Sequence, residues 1–409
     1  MMNNFDKQAR VYARVLLRKG LNLQPGQRLF VRKAPVEAAA FIRILTEVAY
    51  QEGARYVALF WEDSAATRIR YEQAPEDSFE EFPHWQTDAL VQGAEQNDAF
   101  LVFSCEDPQL TAGIPSERVS TTVRTANRHM EPFRRYVMNN DIAWLVAAVP
   151  TPGWAQAIFS GVPADEAVDK LWETIFQLCR VDQPSPEAAW DEHARLTAER
   201  VRFLDERSYH ALHFRGPGTD LVVGLADGHE WHGVGSTNKA GVFFIPNMPT
   251  EEVFTAPHRG RVNGTVRNTR PLVVDGTTID EFELEFREGK VIRAVAAKGQ
   301  EALTSLLETD EGACYLGEVA LVPNSSPVSR SGLMFHNTLF DENASCHLAL
   351  GRAYPFCVEH EGEDDFLARG GNRSLIHYDF MIGSGETDVI GVAADGTEET
   401  LIHKGEWVV

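Results

Sequence analysis

Apolar positions in the first part of the chain alternate between helical and strand spacing. Residues 5–19 repeat apolar side chains at helical intervals, marked by Val11, Val15 and Leu16, and predict a helix. QRLFVRK and ARYVALFW predict strands, and EAAAFIRILTEVAYQEG between them predicts a helix. Two later runs, DAFLVFSC and DIAWLVAAV, have the apolar character of central parallel strands. This repetition predicts an α/β N-terminal domain with a mostly parallel sheet.

The pattern changes after a proline-containing break. VDQPSPEAAW interrupts regular structure, and EAAWDEHARLTAERVRFLDER then predicts a polar helix. Beyond residue 208 short strands and turns prevail: FELEFREGKVIRAVAA and VIGVAADGTEETLI predict hairpins, and GQEALTSLLETDEGA predicts one helix among them. We therefore predict an α/β domain over residues 1–185 and an α+β domain rich in antiparallel strands over residues 186–409.

Composition narrows the possible partners and the compartment. The 409 residues carry a net charge of −22, which argues against binding to nucleic acid or to an anionic membrane, since both require basic patches. No apolar run approaches the roughly 20 residues that a membrane span needs, and MMNNFDKQARVYARVLLRKG lacks the features of a signal peptide. The five cysteines are scattered without a C-x-x-C pair, which disfavours a disulfide framework and favours the cytoplasm.

A histidine and an aspartate stand two residues apart in SLIHYDFMIGSG, which has the character of a buried strand. Residues two apart on a strand point to the same face, so His377 and Asp379 project together. Such a pair can share a metal ion, or the histidine can be a hydrogen-bonded core residue. The local pattern leaves both interpretations open.

Two further segments place carboxylates among apolar neighbours. In YLGEVALV, strand alternation predicts that Glu318 shares a face with Leu316 and Ala320. An ionised carboxylate buried there without a partner costs several kcal/mol, so it either faces water at the strand end or is compensated by a cation. In NMPTEEVFTAPHRG, one of Glu251 and Glu252 is expected to turn inward, and the local pattern does not select between them.

The segment NTLFDENASCHLALGRAYPF combines two acids, a histidine and a tyrosine with small apolar residues. Its composition predicts a helix that begins near residue 343 and ends between about residues 351 and 354, since Pro355 disfavours helical geometry at the residue before it. Asp341 and Glu342 would then lie at the helix N-terminus, where carboxylates are favoured. His347 on an apolar helix face and Tyr354 near its end could both be core residues.

The second domain therefore carries six candidate metal ligands beside apolar stretches: Glu252, Glu318, Glu342, His347, His377 and Asp379. Four carboxylates with two imidazoles suit a pair of divalent ions better than a structural zinc, which prefers sulfur and nitrogen. Two such ions can polarise a carbonyl and activate water, and Tyr354 could donate a hydrogen bond to the developing oxyanion. The residues predict metal-assisted hydrolysis.

Four long segments of this chain resemble the thermophilic-type metallo-aminopeptidase family, that of aminopeptidase T and aminopeptidase S. They are NMPTEEVFTAPHRGRVNGTV, LLETDEGACYLGEVALVP, NTLFDENASCHLALGRAYPF and SLIHYDFMIGS, which occur in the family's order. The resemblance implies a dinuclear metal site in a C-terminal catalytic domain, with six ligands: Glu252, Glu318, Glu342, His347, His377 and Asp379. It also implies that Glu318 bridges the ions and takes part in catalysis, and that Tyr354 is catalytic.

This resemblance makes a metallo-aminopeptidase the leading hypothesis. It implies a hydrolase that releases N-terminal residues from peptides with a free N-terminus, uses two divalent ions (zinc, cobalt or manganese), and forms a homodimer. Two alternatives stay open at this stage. One is a non-catalytic metal-binding or assembly protein with the same fold, and the other is a metal-dependent amidase acting on non-peptide substrates.

Overall fold

The computed structural model describes residues 4–274 and 277–409, which form two compact units. The first unit contains the described residues up to His193 together with Gly235–Pro249, and the second contains Ala194–Val234 and the described part of Thr250–Val409. The boundary falls inside the helix Pro186–Arg207. The division of the sequence at residue 185 stays a prediction.

The elements have the following bounds. The helices are α1 Asn4–Val15, α2 Ala39–Gln51, α3 Ser64–Gln73, α4 His84–Glu95, α5 Ser116–Met138, α6 Pro152–Ile158, α7 Ala164–Leu178, α8 Pro186–Arg207, α9 Gln300–Leu307, α10 Pro327–Arg330, α11 Thr338–Asp341 and α12 Glu363–Ala368. The strands are β1 Arg28–Pro35, β2 Tyr56–Glu62, β3 Ala99–Phe103, β4 Trp144–Ala147, β5 Ala211–Gly216, β6 Thr219–Leu225, β7 Ser236–Thr237, β8 Phe243–Phe244, β9 Val253–Thr255, β10 Pro257–Arg267, β11 Leu272–Val274, β12 Thr277–Arg287, β13 Lys290–Lys298, β14 Leu316–Leu321, β15 His347–Gly351, β16 His377–Met381, β17 Asp388–Val392, β18 Glu398–His403 and β19 Glu406–Trp407.

The first unit contains a four-stranded sheet in the order β2-β1-β3-β4, and its strand pairs are parallel. The central strands are largely buried, as their apolar runs predict. Aromatic side chains join the helices beside the sheet: Tyr12 of α1 lies 5.5 Å from Phe41 of α2 and 5.8 Å from Phe176 of α7, measured between ring centroids. The predicted α/β unit with a parallel sheet is confirmed.

The second unit is built from antiparallel sheets. A large sheet has the order β11-β12-β10-β6-β5-β17-β18-β19, with β13 paired to β12, and a smaller sheet has the order β16-β15-β14-β9. The two predicted hairpins are the β12–β13 and β17–β18 pairs. One apolar core contains side chains of both sheets, including Phe214, Phe282 and Val319. The predicted α+β character rich in antiparallel strands is confirmed. In the part of the chain that the structure describes, no helix is both long and apolar enough to cross a membrane.

The predicted helix that begins near residue 343 and ends between about residues 351 and 354 is wrong. Glu342–Ala344 form a single 3-10 turn after α11, and His347–Gly351 form the strand β15. HLALG contains good helix formers, but an isolated helix this short is marginal because its first turn is costly to form. Pairing with β14 on one side and β16 on the other satisfies the backbone of β15 and buries all five of its residues. Tertiary pairing overrides the local propensity.

Gly351 at the end of β15 permits the close pairing of β15 with β16. Its φ is +104°, and a Cβ there would lie 2.3 Å from the carbonyl oxygen of Ile376. We expect Gly351→Ala to lower the free energy of unfolding by more than the roughly 1–2 kcal/mol that a left-handed alanine costs alone. Gly396→Ala is the matched control, because Gly396 also has a positive φ, +84°, but has open space around the added Cβ. Urea unfolding measures both, and equal losses would contradict the close-packing argument.

Candidate metal centre

The two faces of the smaller sheet differ in polarity. Alternate residues on one face enter the apolar core: Val253, Val319, Leu321, Leu348, Leu350 and Phe380. The opposite face carries the polar residues together with small ones: Glu318 and Ala320 on β14, His347 and Ala349 on β15, and His377 and Asp379 on β16. In the strand register Ala349 stands between Glu318 and Asp379. Strand alternation thus gathers four of the candidate ligands onto one face.

A β-bulge directs Glu318 onto this face. The register between β14 and β15 shifts between Leu316 and Glu318, so Leu316 enters the core with Val319. The prediction that Leu316 shares a face with Glu318 is therefore wrong, because the extra residue reverses the alternation at this point. That residue is Gly317, where a Cβ would lie 2.2 Å from the carbonyl oxygen of Arg352. A glycine at the bulge is thus required by the packing.

The ligand atoms of five residues converge at this face. His347 Nε2 lies 3.0 Å from Glu252 Oε2 and 3.7 Å from Glu318 Oε1. His377 Nε2 lies 3.2 Å from Glu318 Oε2 and 3.5 Å from Asp379 Oδ1. These atoms form two groups, each within 4.8 Å: Glu252 with Glu318 and His347, and Glu318 with His377 and Asp379. Glu318 belongs to both groups: its Oε1 faces His347 and its Oε2 faces His377.

The chemistry of these residues fits bound divalent cations. Glu252, Glu318 and Asp379 are each at most 8% exposed. Glu252 Oε2 and Asp379 Oδ1 are buried and accept no hydrogen bond of good geometry, although imidazole Nε2 atoms lie 3.0 Å and 3.5 Å away. Buried ionised oxygens without partners cost several kcal/mol, and a coordinated cation removes that cost. These two oxygens lie beside imidazole nitrogens, and both carboxylate oxygens and imidazole nitrogens are ligands for zinc, cobalt and manganese.

Backbone carbonyls orient both histidines. His347 Nδ1 lies 3.2 Å from the carbonyl oxygen of Ser345, and His377 Nδ1 lies 2.7 Å from that of Arg352. A carbonyl only accepts, so each Nδ1 carries the hydrogen and Nε2 is left as the donor atom for a metal. Both Nε2 atoms point at carboxylates.

Charge coupling among these side chains perturbs their ionisation. Burial acts to raise the pKa of Glu318, but His347 and His377 outweigh it and lower the pKa to about 2. Burial acts to lower the pKa of each histidine, but their carboxylate neighbours hold both pKa values well above the usual range. Burial raises the pKa of Glu252, with partial opposition from His347. Strongly perturbed ionisation at a buried cluster is typical of a functional site.

Glu342 and Asp341 have different surroundings despite being adjacent. Glu342 is buried, and burial together with the charges of Asp379 and Glu252 raises its pKa well above the ordinary value. It belongs to neither of the two close groups. Asp341 accepts hydrogen bonds from the backbone N–H groups of Phe335 and Asn337, each at 3.0 Å. The prediction that both acids lie at the N-terminus of a helix starting near residue 343 is wrong, because Glu342–Ala344 form only one 3-10 turn and the strand β15 follows.

Tyr354 lies beside the cluster within a group of aromatic rings. Its ring centroid is 4.9 Å from that of His377, 5.2 Å from Phe356 and 5.9 Å from Phe254. Burial and the charges of the nearby carboxylates, Glu318 first, hold the pKa of its hydroxyl well above 10. The hydroxyl therefore keeps its proton and remains a hydrogen-bond donor. The sequence analysis did not predict that Phe254 and Phe356 lie beside Tyr354, although Phe254 stands only two residues after Glu252.

The chain is similar to known proteins over nearly its whole length. The model of the family described as thermophilic metalloprotease (M29) matches residues 5–407. The chain belongs to the M29 metalloprotease family. It is 46% identical to aminopeptidase 2 of Geobacillus stearothermophilus, over 99% of each chain, and 44% identical to aminopeptidase T of Thermus thermophilus, over the whole of each. The solved structure of wild-type AmpT from Thermus thermophilus superposes with a TM-score of 0.94, covering 99% of this chain and 100% of that one.

Membership of the M29 family confirms two predictions made from sequence. The resemblance to the thermophilic-type metallo-aminopeptidases is confirmed, and so is the enzyme class, a metallo-aminopeptidase and therefore a hydrolase. The family also establishes dependence on a divalent metal. The residues that would hold it in this chain are those of the two groups that share Glu318.

Ala349 leaves the space between two of the carboxylates open. It is fully buried and stands between Glu318 and Asp379 in the register. We expect Ala349→Val to fill this space and lower bound metal by at least about tenfold, while overpacking costs roughly 1–3 kcal/mol of stability. Ala296→Val on β13, where the alanine is partly buried, is the control. Metal analysis of the folded variants is the measurement, and full metal content in Ala349→Val would contradict this assignment.

Proposed function

We propose that this enzyme removes N-terminal residues from peptides through a dinuclear metal centre. The ligands are assigned as Glu252, Glu318, Glu342, His347, His377 and Asp379, with zinc, cobalt or manganese as the ions. The observation that carries the proposal is the membership of Glu318 in both ligand groups, because its two oxygens are directed to different histidines. A carboxylate in that position suits a bridge between two cations.

The bound metal, Tyr354 and Glu318 would each have a different role in hydrolysis. Divalent cations bound here would supply Lewis-acid polarisation of the scissile carbonyl and would acidify water. Tyr354 donates its hydroxyl hydrogen to the oxygen on which negative charge develops, a role that suits its raised pKa. Glu318 orients the centre by holding both histidine nitrogens in place and helps manage protons during catalysis.

The excess of carboxylates favours substrates with a free amine. Glu342 is buried near Glu252 and Asp379, whose charges contribute to its raised pKa. An α-ammonium group entering this environment would be stabilised by the negative potential, whereas a blocked N-terminus would forgo that interaction. We therefore assign peptides with a free N-terminus as substrates, in keeping with the names of the relatives.

The cellular compartment, the oligomeric state and the excluded partners are proposed from other observations. Within the described residues the five cysteines form no disulfide, and four of them are buried, which suits a reducing compartment such as the cytoplasm. A homodimer is proposed from the family resemblance. With a net charge of −22, the chain is suited neither to nucleic acid nor to an anionic membrane surface.

Replacing the shared carboxylate tests the proposal directly. We expect Glu318→Gln to lower both bound metal and kcat/KM for leucine anilide by at least about 100-fold, since the amide cannot serve as an anionic bridge. Asp341→Asn is the control, because Asp341 is an equally buried carboxylate whose oxygens accept backbone N–H groups. Full activity in Glu318→Gln would refute the site.

A substrate panel separates the activities. Leucine and arginine anilides should be cleaved, and the same compounds with a blocked amine should be at least about tenfold poorer substrates, because the charge interaction is lost. Efficient cleavage of blocked anilides would favour a general amidase. No cleavage with any of zinc, cobalt or manganese would favour a non-catalytic metal-binding protein.

Metal affinity should depend on pH with a definite sign. The pKa values of His347 and His377 are held well above the usual range, so both imidazoles carry protons near neutral pH that a metal ion must displace. We expect the apparent affinity to rise with pH and metal binding to release protons. Competition with a chromophoric chelator at several pH values, with calorimetry in two buffers of different ionisation enthalpy, measures both. Affinity that is independent of pH would contradict the coupling.

A further inference from the structure

Two of the assigned carboxylates lie outside the strands that carry the other ligands. Glu318, His347, His377 and Asp379 belong to β14, β15 and β16, where the hydrogen-bond ladder sets their positions. Glu252 precedes β9, and Glu342 belongs to the 3-10 turn Glu342–Ala344. The ladder therefore fixes neither of these two side chains, and their separation depends on another contact.

The side chain of Asn343 makes that contact. Its Oδ1 accepts a hydrogen bond of 2.6 Å from the backbone N–H of Glu251, the residue immediately before Glu252. Its Nδ2 donates to Glu342 Oε1 at 3.4 Å and to the carbonyl oxygen of Leu339 at 3.0 Å. One amide thus joins two segments that lie 92 residues apart in sequence. The side chain is fully buried, so water does not compete for these hydrogen bonds.

We propose that Asn343 is a positioning residue that sets the distance between Glu252 and Glu342 and thereby the affinity of the centre for metal. This inference rests on the proposed function, because it requires both carboxylates to bind the metal. Asn343 itself is assigned no contact with metal or substrate. Partners outside the ligand set that orient ligands typically contribute 10–100-fold to metal affinity.

The chemistry of the amide suits this position. An amide supplies one acceptor for the N–H of Glu251 and two donors for the oxygens of Leu339 and Glu342, so a single neutral group satisfies all three. Removing it leaves a buried N–H without its partner, which costs about 1–3 kcal/mol. A loss of stability alone is therefore expected of any such substitution and does not distinguish the proposal.

Asn268 provides a matched control in the same unit. Its Oδ1 accepts from the backbone N–H of Phe282 at 2.6 Å, and its Nδ2 donates to the carbonyl oxygen of Arg270 at 2.8 Å and to Asp280 Oδ1 at 3.2 Å. It is also buried. The two asparagines thus make the same three kinds of hydrogen bond, but the partners of Asn268 carry none of the assigned ligands.

The experiment compares alanine and serine at both positions in the full chain. Melting temperature reports the structural cost, and competition of zinc with a chromophoric chelator reports metal affinity. We expect Asn343→Ala and Asn268→Ala to lower the melting temperature similarly, but only Asn343→Ala to weaken zinc binding, by at least tenfold. Asn343→Ser should weaken it less, because a hydroxyl retains part of the bonding. In leucine anilide assays, excess zinc should restore part of the activity of the Asn343 variants.

Three outcomes would contradict either the role of Asn343 or the proposed function. Zinc affinities in the Asn343 variants equal to those of the Asn268 variants would overturn the inference while leaving the proposed function intact. Unfolding of both Asn343 variants, with both Asn268 variants folded, would also overturn it, because the amide would then hold the fold rather than the ligand spacing. Failure of the unsubstituted chain to bind any of the three metals would instead refute the proposed function.

Discussion

The second unit depends on compensating the negative charge buried on one face of a four-stranded sheet. Glu252, Glu318, Glu342 and Asp379 are each at most 8% exposed, and two imidazoles lie among them. Even two protonated histidines cannot neutralise four ionised carboxylates. Burial, together with the charges of the neighbouring carboxylates, raises the pKa of Glu252 and Glu342, and two buried carboxylate oxygens accept no hydrogen bond of good geometry. Divalent cations bound by these residues would resolve this conflict and would supply a centre able to polarise a carbonyl.

The sheet meets this electrostatic demand with ordinary strand geometry and one irregularity. Strand alternation sends Leu348 and Phe380 into the core, and so turns His347 and Asp379 to the opposite face. The bulge at Gly317 makes Glu318 join them, since regular alternation would have placed it with Leu316. Small side chains such as Ala349 then leave room between the ligands. The polar cluster thus depends on the register of the strands in the smaller sheet as much as on the types of its residues.

The sequence predicted the architecture of the two units, and which polar residues stand among apolar ones, better than it predicted the local backbone geometry around those polar residues. The parallel sheet follows from long apolar runs, and the H-x-D pair of His377 and Asp379 follows from the period of a strand; both patterns are local. The strand at His347 was predicted as a helix, because the pairing that forms it involves residues about 30 positions away on each side. The bulge at Gly317 was missed because the contacts that require a glycine there, with Gly351 and Arg352, are distant in sequence.

The positions of the two carboxylates outside the strands suggest why a neutral amide holds them. A lysine or arginine at residue 343 would compete with the metal for Glu342, and a carboxylate there would add repulsion to a site that already has an excess of negative charge. An asparagine supplies donors and an acceptor without changing the net charge, so the affinity for cations is retained while the geometry is fixed. The strands fix the two histidines, Glu318 and Asp379, and the proposed role of the amide is to extend that order to Glu252 and Glu342, the other two residues assigned as ligands.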